Sequence, residues 1–397
     1  MADKGRKSPR AQHGKKVRVD LRRNKQVRTR QQNLTDELLN DQESAADVKH
    51  SERVTGRGDL SRRRTLVGIS SQGNQLLRVV DEKGLRRGRV TSFIGLHIMV
   101  RDDADQKEFA CSVRGVLKSM ARDARNVVVT GDRVLFRHEG DANQGVIERV
   151  EPRHGLLSRG SQRREHILVA NIDQVLIVGT AADPDFKPQL IDRFLVSAER
   201  LNIEPIICIN KIDLVDPGTL LQHVRTYGRI GYNVVLTCAM DGRGIDQLRH
   251  LLKNRQTAVS GQSGVGKSSL LNCVDQELGL QTADVGDWTR KGTHTTRRAR
   301  LVPLTFGGWV CDTPGIRQFE LWDISLDEVD GYYVEFRPFI SCCRFQDCTH
   351  THEEGCGVKE AVSQGLISSA RYNSYLRLRE EDVWVWKNPA RGHAKQV

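Results

Sequence analysis

The chain has 397 residues, 38% of them hydrophobic, and carries 62 Lys and Arg against 50 Asp and Glu, for a formal net charge of +12. That length is about two to three domains, and no apolar run reaches the roughly 18 residues of a membrane-spanning helix. Nine cysteines, four of them between Cys342 and Cys356, do not make a disulfide framework; they fit a reduced, cytoplasmic chain with one metal site.

The basicity is concentrated at one end. Residues 1–30 hold 12 basic and 2 acidic side chains, with no apolar stretch behind them that would make a secretory signal. Lys4 to Arg30 reads as a basic arm and Asp36 to Asp47 as a more acidic continuation. Few aromatics and many Arg, Lys, Gln and Ser predict that residues 1–80 are disordered. Such an arm solubilises the chain or neutralises nucleic-acid phosphates without reading sequence.

Between residues 86 and 158 short alternating runs appear: Gly88–Ile98, Glu108–Val116, Asn126–Thr130, Arg133–Arg137 and Gly145–Val150. Turn signals such as Asp102-Asp103-Ala104-Asp105 separate them. Five short strands predict a small antiparallel barrel of the oligonucleotide-binding (OB) type, with an SH3-like barrel fitting nearly as well. Phe93, Phe109 and Phe136 are too few for base stacking, which favours recognition of backbone or RNA shape.

From about residue 163 to 330 the pattern turns α/β. Continuous apolar strands are predicted at Asp173–Gly179, Ile203–Asn210 and Asn233–Thr237, alternating with helices at Pro188–Leu201, Leu220–Tyr227 and Gly244–Leu252. That alternation predicts a mostly parallel sheet covered on both faces.

Three motifs then carry chemistry. Gly261-Gln262-Ser263-Gly264-Val265-Gly266-Lys267-Ser268, followed by Ser269, fits G-x-x-x-x-G-K-[ST]. Its glycines let backbone N–H groups cradle phosphates, Lys267 reaches the β- and γ-phosphates, and the Ser268 hydroxyl can ligate Mg²⁺. Asp312-Thr313-Pro314-Gly315 ends the strand Trp309-Val310-Cys311. Asp312 can hold Mg²⁺ through water, and the Gly315 N–H can bond the γ-phosphate. Asn210-Lys211-Ile212-Asp213 closes an apolar strand. The Asp213 carboxylate can accept both N1–H and the N2 amino group of guanine, a donor pair that adenine lacks. Asn210 would bond the base or tie its loop to the phosphate loop, and the Lys211 stem would lie over the purine. Thr237-Cys238-Ala239 would bring a backbone N–H to guanine O6.

The order of these motifs is unusual. N-K-x-D precedes the phosphate loop by 51 residues, and none follows Asp312. The sheet must therefore be entered at a different strand, as a circular permutation, which is tolerated when the original termini lie close together.

With IDRFLV (191–196), NKIDL (210–214), GQSGVGKSSL (261–270), THTTR (293–297) and DTPGIRQF (312–319), the chain resembles the RsgA (YjeQ) family of GTPases that depend on the small ribosomal subunit. The resemblance covers residues 86–385. It implies an OB barrel, a circularly permuted P-loop GTPase domain and a small α-rich zinc domain. It also implies GTP hydrolysis late in assembly of the small subunit, stimulated by that subunit and its rRNA. The basic arm is not part of it.

Residues 331–397 hold the cysteine cluster. Cys343, Cys348, His350 and Cys356 give C-x₄-C-x-H-x₅-C, a donor set suited to one tetrahedral structural zinc. Spacing leaves Cys342 and His352 as competitors; the resemblance assigns the first four. Val358–Leu378 predicts one C-terminal helix, and Trp384 and Trp386 read as core or as partner contacts.

In many GTPases a Gln just after D-x-x-G orients the attacking water; here that position is Ile316. Residues 286–300 read as a first switch in which Thr295 or Thr296 closes on Mg²⁺ and the γ-phosphate. His294, flanked by Arg290, Lys291, Arg297, Arg298 and Arg300, is the nearest side chain able to position water, and the family pattern supports it. The expectation is a cytoplasmic, monomeric GTPase whose incomplete site is finished by the ribosomal subunit. The competing expectation is a non-enzymatic rRNA-binding assembly protein with a vestigial nucleotide site. A small-molecule kinase is disfavoured, because a kinase has no need for N-K-x-D.

Overall fold

The computed structural model describes residues 15–20, 63–72, 75–78, 80–95, 97–115, 117, 127–140, 143–159, 166–280, 299–312 and 327–387. Within the arm expected to be disordered, β1 (Lys15–Asp20), β2 (Arg63–Gln72) and β3 (Gln75–Arg78) form an antiparallel sheet in the order β1-β2-β3. For those residues the expectation of disorder is corrected; the β-branched alternation of KVRVD and TLVGIS favours extended backbone. The remainder of residues 1–80 lies almost wholly outside the described residues.

β4 (Arg86–Ile94), β5 (His97–Asp102), β6 (Glu108–Val113), β7 (Arg133–Glu139) and β8 (Gln144–Val150) close into a barrel in the order β4-β5-β6-β8-β7. β6 and β8 run parallel and the other pairs antiparallel. One parallel pair in a five-stranded Greek-key barrel is the OB topology, which decides against the SH3-like alternative. Val90, Val100, Phe109, Cys111, Phe136 and Ile147 fill its interior. Phe109 and Phe136 pack against each other, ring centroids 5.3 Å apart and planes tilted by 50°, inside that core, so neither offers a surface for bases.

Two predicted strands of this region change. Gly88–Ile98 is a hairpin rather than one strand: the chain reverses at Gly95, φ +58°, between two apolar runs that read as one in sequence. Of Asn126–Thr130, the described residues 127–130 contribute an isolated parallel bridge from Thr130 to Val169.

β9 (Leu157–Arg159) and β10 (His166–Val169) pair antiparallel, and a six-stranded sheet follows. β11 (Gln174–Thr180), β12 (Glu204–Asn210), β13 (Asn233–Leu236), β14 (Gln256–Ser260), β15 (Arg300–Pro303) and β16 (Trp309–Asp312) lie in the order β13-β12-β11-β14-β16-β15. Only β15 is antiparallel to its neighbour. The first three strands in chain order occupy one half of the sheet and the last three the other half. The join falls between β11 and β14, at the centre. That is the geometry a permuted chain requires.

Each central strand is apolar on both faces because helices cover both. Val175 and Ile177 of β11 point into one core layer, with Ile207, Ile209, Ala258 and Leu301; Leu176 and Val178 point into the other, with Ile206, Val235 and Val310. The Pro188–Arg200 helix lays Ile191, Phe194, Leu195 and Ala198 on the first layer. The Pro217–Ile230 helix joins it through Leu220 and Tyr227. Its ends are set by sequence: Asp216 caps the N-terminus through a 3.0 Å bond from the Gly218 N–H, Pro217 fixes the first φ, and Gly231 ends it at φ +103°. The helices Ile245–Leu252 and Lys267–Val274 cover the second layer.

The C-terminal lobe is α-rich. In place of one helix over Val358–Leu378 there are two, Gly357–Ser363 and Ser369–Lys387, interrupted at Gly365, φ +71°. Val329, Tyr333, Phe336, Val358, Ile367 and Tyr375 form its core. Val196, on the far face of the Pro188–Arg200 helix, belongs to this cluster, so that helix is buried against the sheet on one side and the lobe on the other. The contacts of Trp384 and Trp386 lie outside the described side chains. Among the described residues no helix is long and apolar enough to cross a membrane.

Candidate nucleotide site and metal-ligand cluster

The loops that follow β11, β12, β13, β14 and β16 leave the carboxyl ends of parallel strands, where α/β sheets bind ligands. β14 runs into Gly261, and the helix begins at Lys267 with Gly266 as its cap at φ +85°. Gly261 has φ +144°, and a Cβ there would lie 2.2 Å from the Val178 carbonyl oxygen. Only glycine lets the loop pass so close to β11. The Lys267 ammonium donates to the Gly261 carbonyl at 2.9 Å and also to that of Gln262, which folds the side chain over the loop. Ser263 and Gly264 are exposed, Val265 is buried, and Ser268 and Ser269 sit in the first helical turn, partly exposed.

Asn210 is the last residue of β12. Its Nδ2 donates to the Val265 carbonyl at 3.0 Å, and its Oδ1 accepts from the Thr237 hydroxyl at 3.2 Å. It is 1% exposed and ties its own loop to the phosphate loop and to the loop after β13. Lys211 takes a left-handed backbone, φ 57°, and its Nζ donates to the Asp183 carbonyl at 2.6 Å. Asp213 is exposed in the short turn Ile212–Leu214 and accepts a hydrogen bond from Cys238 Sγ at 3.1 Å. Cys238 and Ala239 follow β13, and Cys273 Sγ, on the phosphate-loop helix, donates to the Ala239 carbonyl at 3.0 Å.

Asp312 ends β16 next to β14. The structure thus brings Asn210, Lys211, Asp213, Cys238, Ala239, the 261–269 loop and Asp312 to one edge of the sheet. Gly315, Ile316, His294, Thr295 and Thr296 lie outside the described residues.

The barrel touches the opposite ends of the same strands. Arg89 donates to Gln256 Oε1 at 2.8 Å and lies 5.2 Å over Trp309; Gln256 and Trp309 are the first residues of β14 and β16. Sequence gave no sign of this joint.

In the C-terminal lobe, one donor atom each from Cys343, Cys348, His350 and Cys356 falls within 4.8 Å of the others. His350 turns Nδ1 to the thiols, 3.5 Å from Cys343 Sγ and 3.4 Å from Cys356 Sγ, while its Nε2 pairs with Asp330 Oδ2 at 3.2 Å. A carboxylate on the outer ring nitrogen is the usual support of a metal-binding imidazole. These donors could hold a metal ion, and four soft and borderline ligands fit tetrahedral zinc. Cys342 and His352 are exposed and are not among the four residues whose donor atoms cluster. The loop is buttressed by Tyr372 Oη on the His350 carbonyl and Tyr375 Oη on the Thr349 carbonyl, each at 2.7 Å. Asp330 precedes the cluster by 13 residues, and no spacing rule pointed to it.

Fold and site together define a circularly permuted P-loop GTPase, flanked by an OB barrel and a small lobe with a Cys₃His cluster. Residues 150–322 match the RsgA GTPase family model. The chain is 45% identical over 279 residues to the Small ribosomal subunit biogenesis GTPase RsgA of Gemmatimonas aurantiaca, covering 69% of this chain and 91% of that one. Its fold is similar to the crystal structure of YjeQ from Thermotoga maritima, with a TM-score of 0.62 and 36% identity over 75% of this chain and 98% of the other. It is similar as well to YloQ, described as a circularly permuted GTPase, at a TM-score of 0.61 and 29% identity over 77% and 97%. The chain belongs to the RsgA GTPase family and is a GTP hydrolase.

Proposed function

We propose that this GTPase acts in the cytoplasm, as a monomer, on the small ribosomal subunit during its late maturation, binding the subunit through its rRNA. The observation that carries the nucleotide assignment is the 3.0 Å bond from Asn210 to the Val265 carbonyl. It couples the N-K-x-D loop to the phosphate loop although their order in the chain is inverted. The relatives' names, which specify small-subunit biogenesis, support the partner.

In this reading the N–H groups of residues 261–269 and the helix N-terminus hold the β- and γ-phosphates, with Lys267 as the cation. Asp213 reads guanine, the Lys211 stem covers the ring, and the loop at Cys238 and Ala239 presents a backbone N–H to O6, that of Cys238 itself being taken by the Arg243 carbonyl. Ser268 and Asp312 would hold Mg²⁺, which would supply charge neutralisation at the phosphates. The Gly315 N–H meets the γ-phosphate. Thr295 or Thr296 closes the first switch, and His294 orients the attacking water. The partner subunit completes this arrangement, as an incomplete GTPase site requires. Zinc held by Cys343, Cys348, His350 and Cys356 is structural, since four protein ligands leave no position for water. The basic N-terminal segment adds salt-sensitive, sequence-blind affinity for rRNA.

Asp213→Asn tests the base assignment. Exchanging the carboxylate for an amide should shift preference from GTP to XTP, which presents a carbonyl where guanine has its amino group. Unchanged preference for GTP would remove Asp213 from the site.

A further inference from the structure

Arg89 stands on β4 directly opposite Arg101 of β5 and Arg133 of β7, three arginines in one row across the barrel. Like charges facing one another across a ladder repel. Burial pushes the Arg89 pKa down, Arg133 pushes it further the same way, and Asp103 and Asp173 oppose them. Its Nε is buried without a partner, and among the described residues no carboxylate pairs with the guanidinium. A cation in such surroundings costs stability rather than adding to it. What it does there is join two strands. Nη1 donates to Gln256 Oε1 at 2.8 Å, and the guanidinium lies 5.2 Å over the Trp309 ring. Gln256 and Trp309 are direct partners in the ladder between β14 and β16. Gln256 is 1% exposed and held on its other side, Nε2 donating to the Ala170 carbonyl at 2.8 Å and its backbone N–H to Asp173 Oδ2 at 2.7 Å.

We infer that Arg89 is a positioning residue for the Mg²⁺ and phosphate half of the site: by bridging Gln256 and Trp309 it fixes β14 and β16 against each other, and with them the phosphate loop against Asp312. This rests on the reading of Ser268 and Asp312 as Mg²⁺ ligands given above. The two strands are short, five and four residues. At about 3.3 Å per residue their far ends lie only about 10–13 Å from the bridge. At its far end β14 turns into Gly261, which has no slack against the Val178 carbonyl oxygen, and β16 ends at Asp312. Mg²⁺ demands near-ideal octahedral geometry, so a small slip between the strands reaches its ligands. The guanine-reading loops follow β12 and β13, which the bridge does not touch, so the effect is confined to the Mg²⁺-dependent part of nucleotide affinity.

The test is the affinity of the full chain for a non-hydrolysable GTP analogue, measured with Mg²⁺ and again with EDTA, alongside urea unfolding. The proteins are wild type, Arg89→Met, Arg89→Lys and Arg101→Met. Mg²⁺ should tighten binding to the wild type. Arg89→Met should lose about two- to thirtyfold of that gain, the range for residues that act along a contact network. Its affinity in EDTA should be unmoved and its stability in urea equal to the wild type or greater. Arg89→Lys keeps a donor for Gln256 and a cation over Trp309, and should retain most of the gain. Arg101 lies 5.9 Å over Trp309 without bonding Gln256, so Arg101→Met should retain all of it. A wild type whose affinity ignores Mg²⁺ overturns the reading of Ser268 and Asp312 itself. A wild type that responds, with an Arg89→Met variant that responds equally, leaves that reading intact and overturns the role of Arg89. Weakening of Arg89→Met by the same factor in Mg²⁺ and in EDTA, with lowered stability, would mark Arg89 as a packing residue and also overturn it. An equal loss of the Mg²⁺ gain in Arg101→Met would do the same, since that variant leaves the bridge between the strands in place.

Discussion

Arg371 and Asp192, 179 positions apart in the chain, meet at 2.6 Å with each side chain 1% exposed. Arg371 comes from the C-terminal helix and Asp192 from the Pro188–Arg200 helix of the GTPase domain. The same guanidinium bonds Glu335 through Nε at 2.6 Å and Nη2 at 3.2 Å, and lies 4.5 Å over the Tyr333 ring. Tyr227 Oη donates to Asp192 Oδ1 at 2.9 Å. One planar fork thus joins two carboxylates and an aromatic face, which an ammonium could not match. The lobe that carries the Cys₃His cluster is fastened to the nucleotide domain by a buried ion pair.

Breaking that pair from one side strands a buried charge. Arg371→Leu should destabilise the chain by about 3–5 kcal/mol, read by urea unfolding. Arg371→Lys should recover only part. A change below about 1 kcal/mol would mean that water reaches Asp192 when the lobe loosens.

The lobe should contain one zinc per chain by elemental analysis, with Cys348→Ser or His350→Ala abolishing it and Cys342→Ser leaving it. Asp330→Asn should weaken metal affinity by about 10–100-fold, because the carboxylate orients the ligating ring. Equal zinc content in the wild type and Cys348→Ser would displace the assignment.

Two glycines of the phosphate loop should respond differently to alanine. At Gly261 the new Cβ would meet the Val178 carbonyl oxygen at 2.2 Å, so the loop must shift and nucleotide affinity should collapse. At Gly264, φ +82°, the Cβ meets nothing within 4 Å, leaving only backbone strain of about 1–3 kcal/mol. GDP titration of the two variants should rank them in that order.

These contrasts follow the line between what local sequence carries and what the fold adds. The apolar runs of β11 and β12 and the G-x-x-x-x-G-K-S loop are short-range signals, and each stands where the sequence puts it. The hairpin at Gly95 and the helix break at Gly365 were hidden because apolar residues continue on both sides of a single glycine. Asp330, Arg371 and the Arg89–Gln256 contact were unreadable for another reason. Their partners are brought near by tertiary packing, and a charged residue outside a motif looks the same whether it is buried or solvated.

His294 tests the first switch. Small ribosomal subunits should raise GTP turnover of the wild type strongly and that of His294→Ala much less, while both bind GDP equally. Equal stimulation would take His294 out of the mechanism.

The most direct measurement is hydrolysis of GTP and of ATP by the purified full chain, each with and without purified small ribosomal subunits. Slow hydrolysis confined to GTP, accelerated by the subunits, is the predicted result. Comparable use of ATP would contradict the guanine site built around Asp213. GTP hydrolysis indifferent to the subunits would contradict the partner.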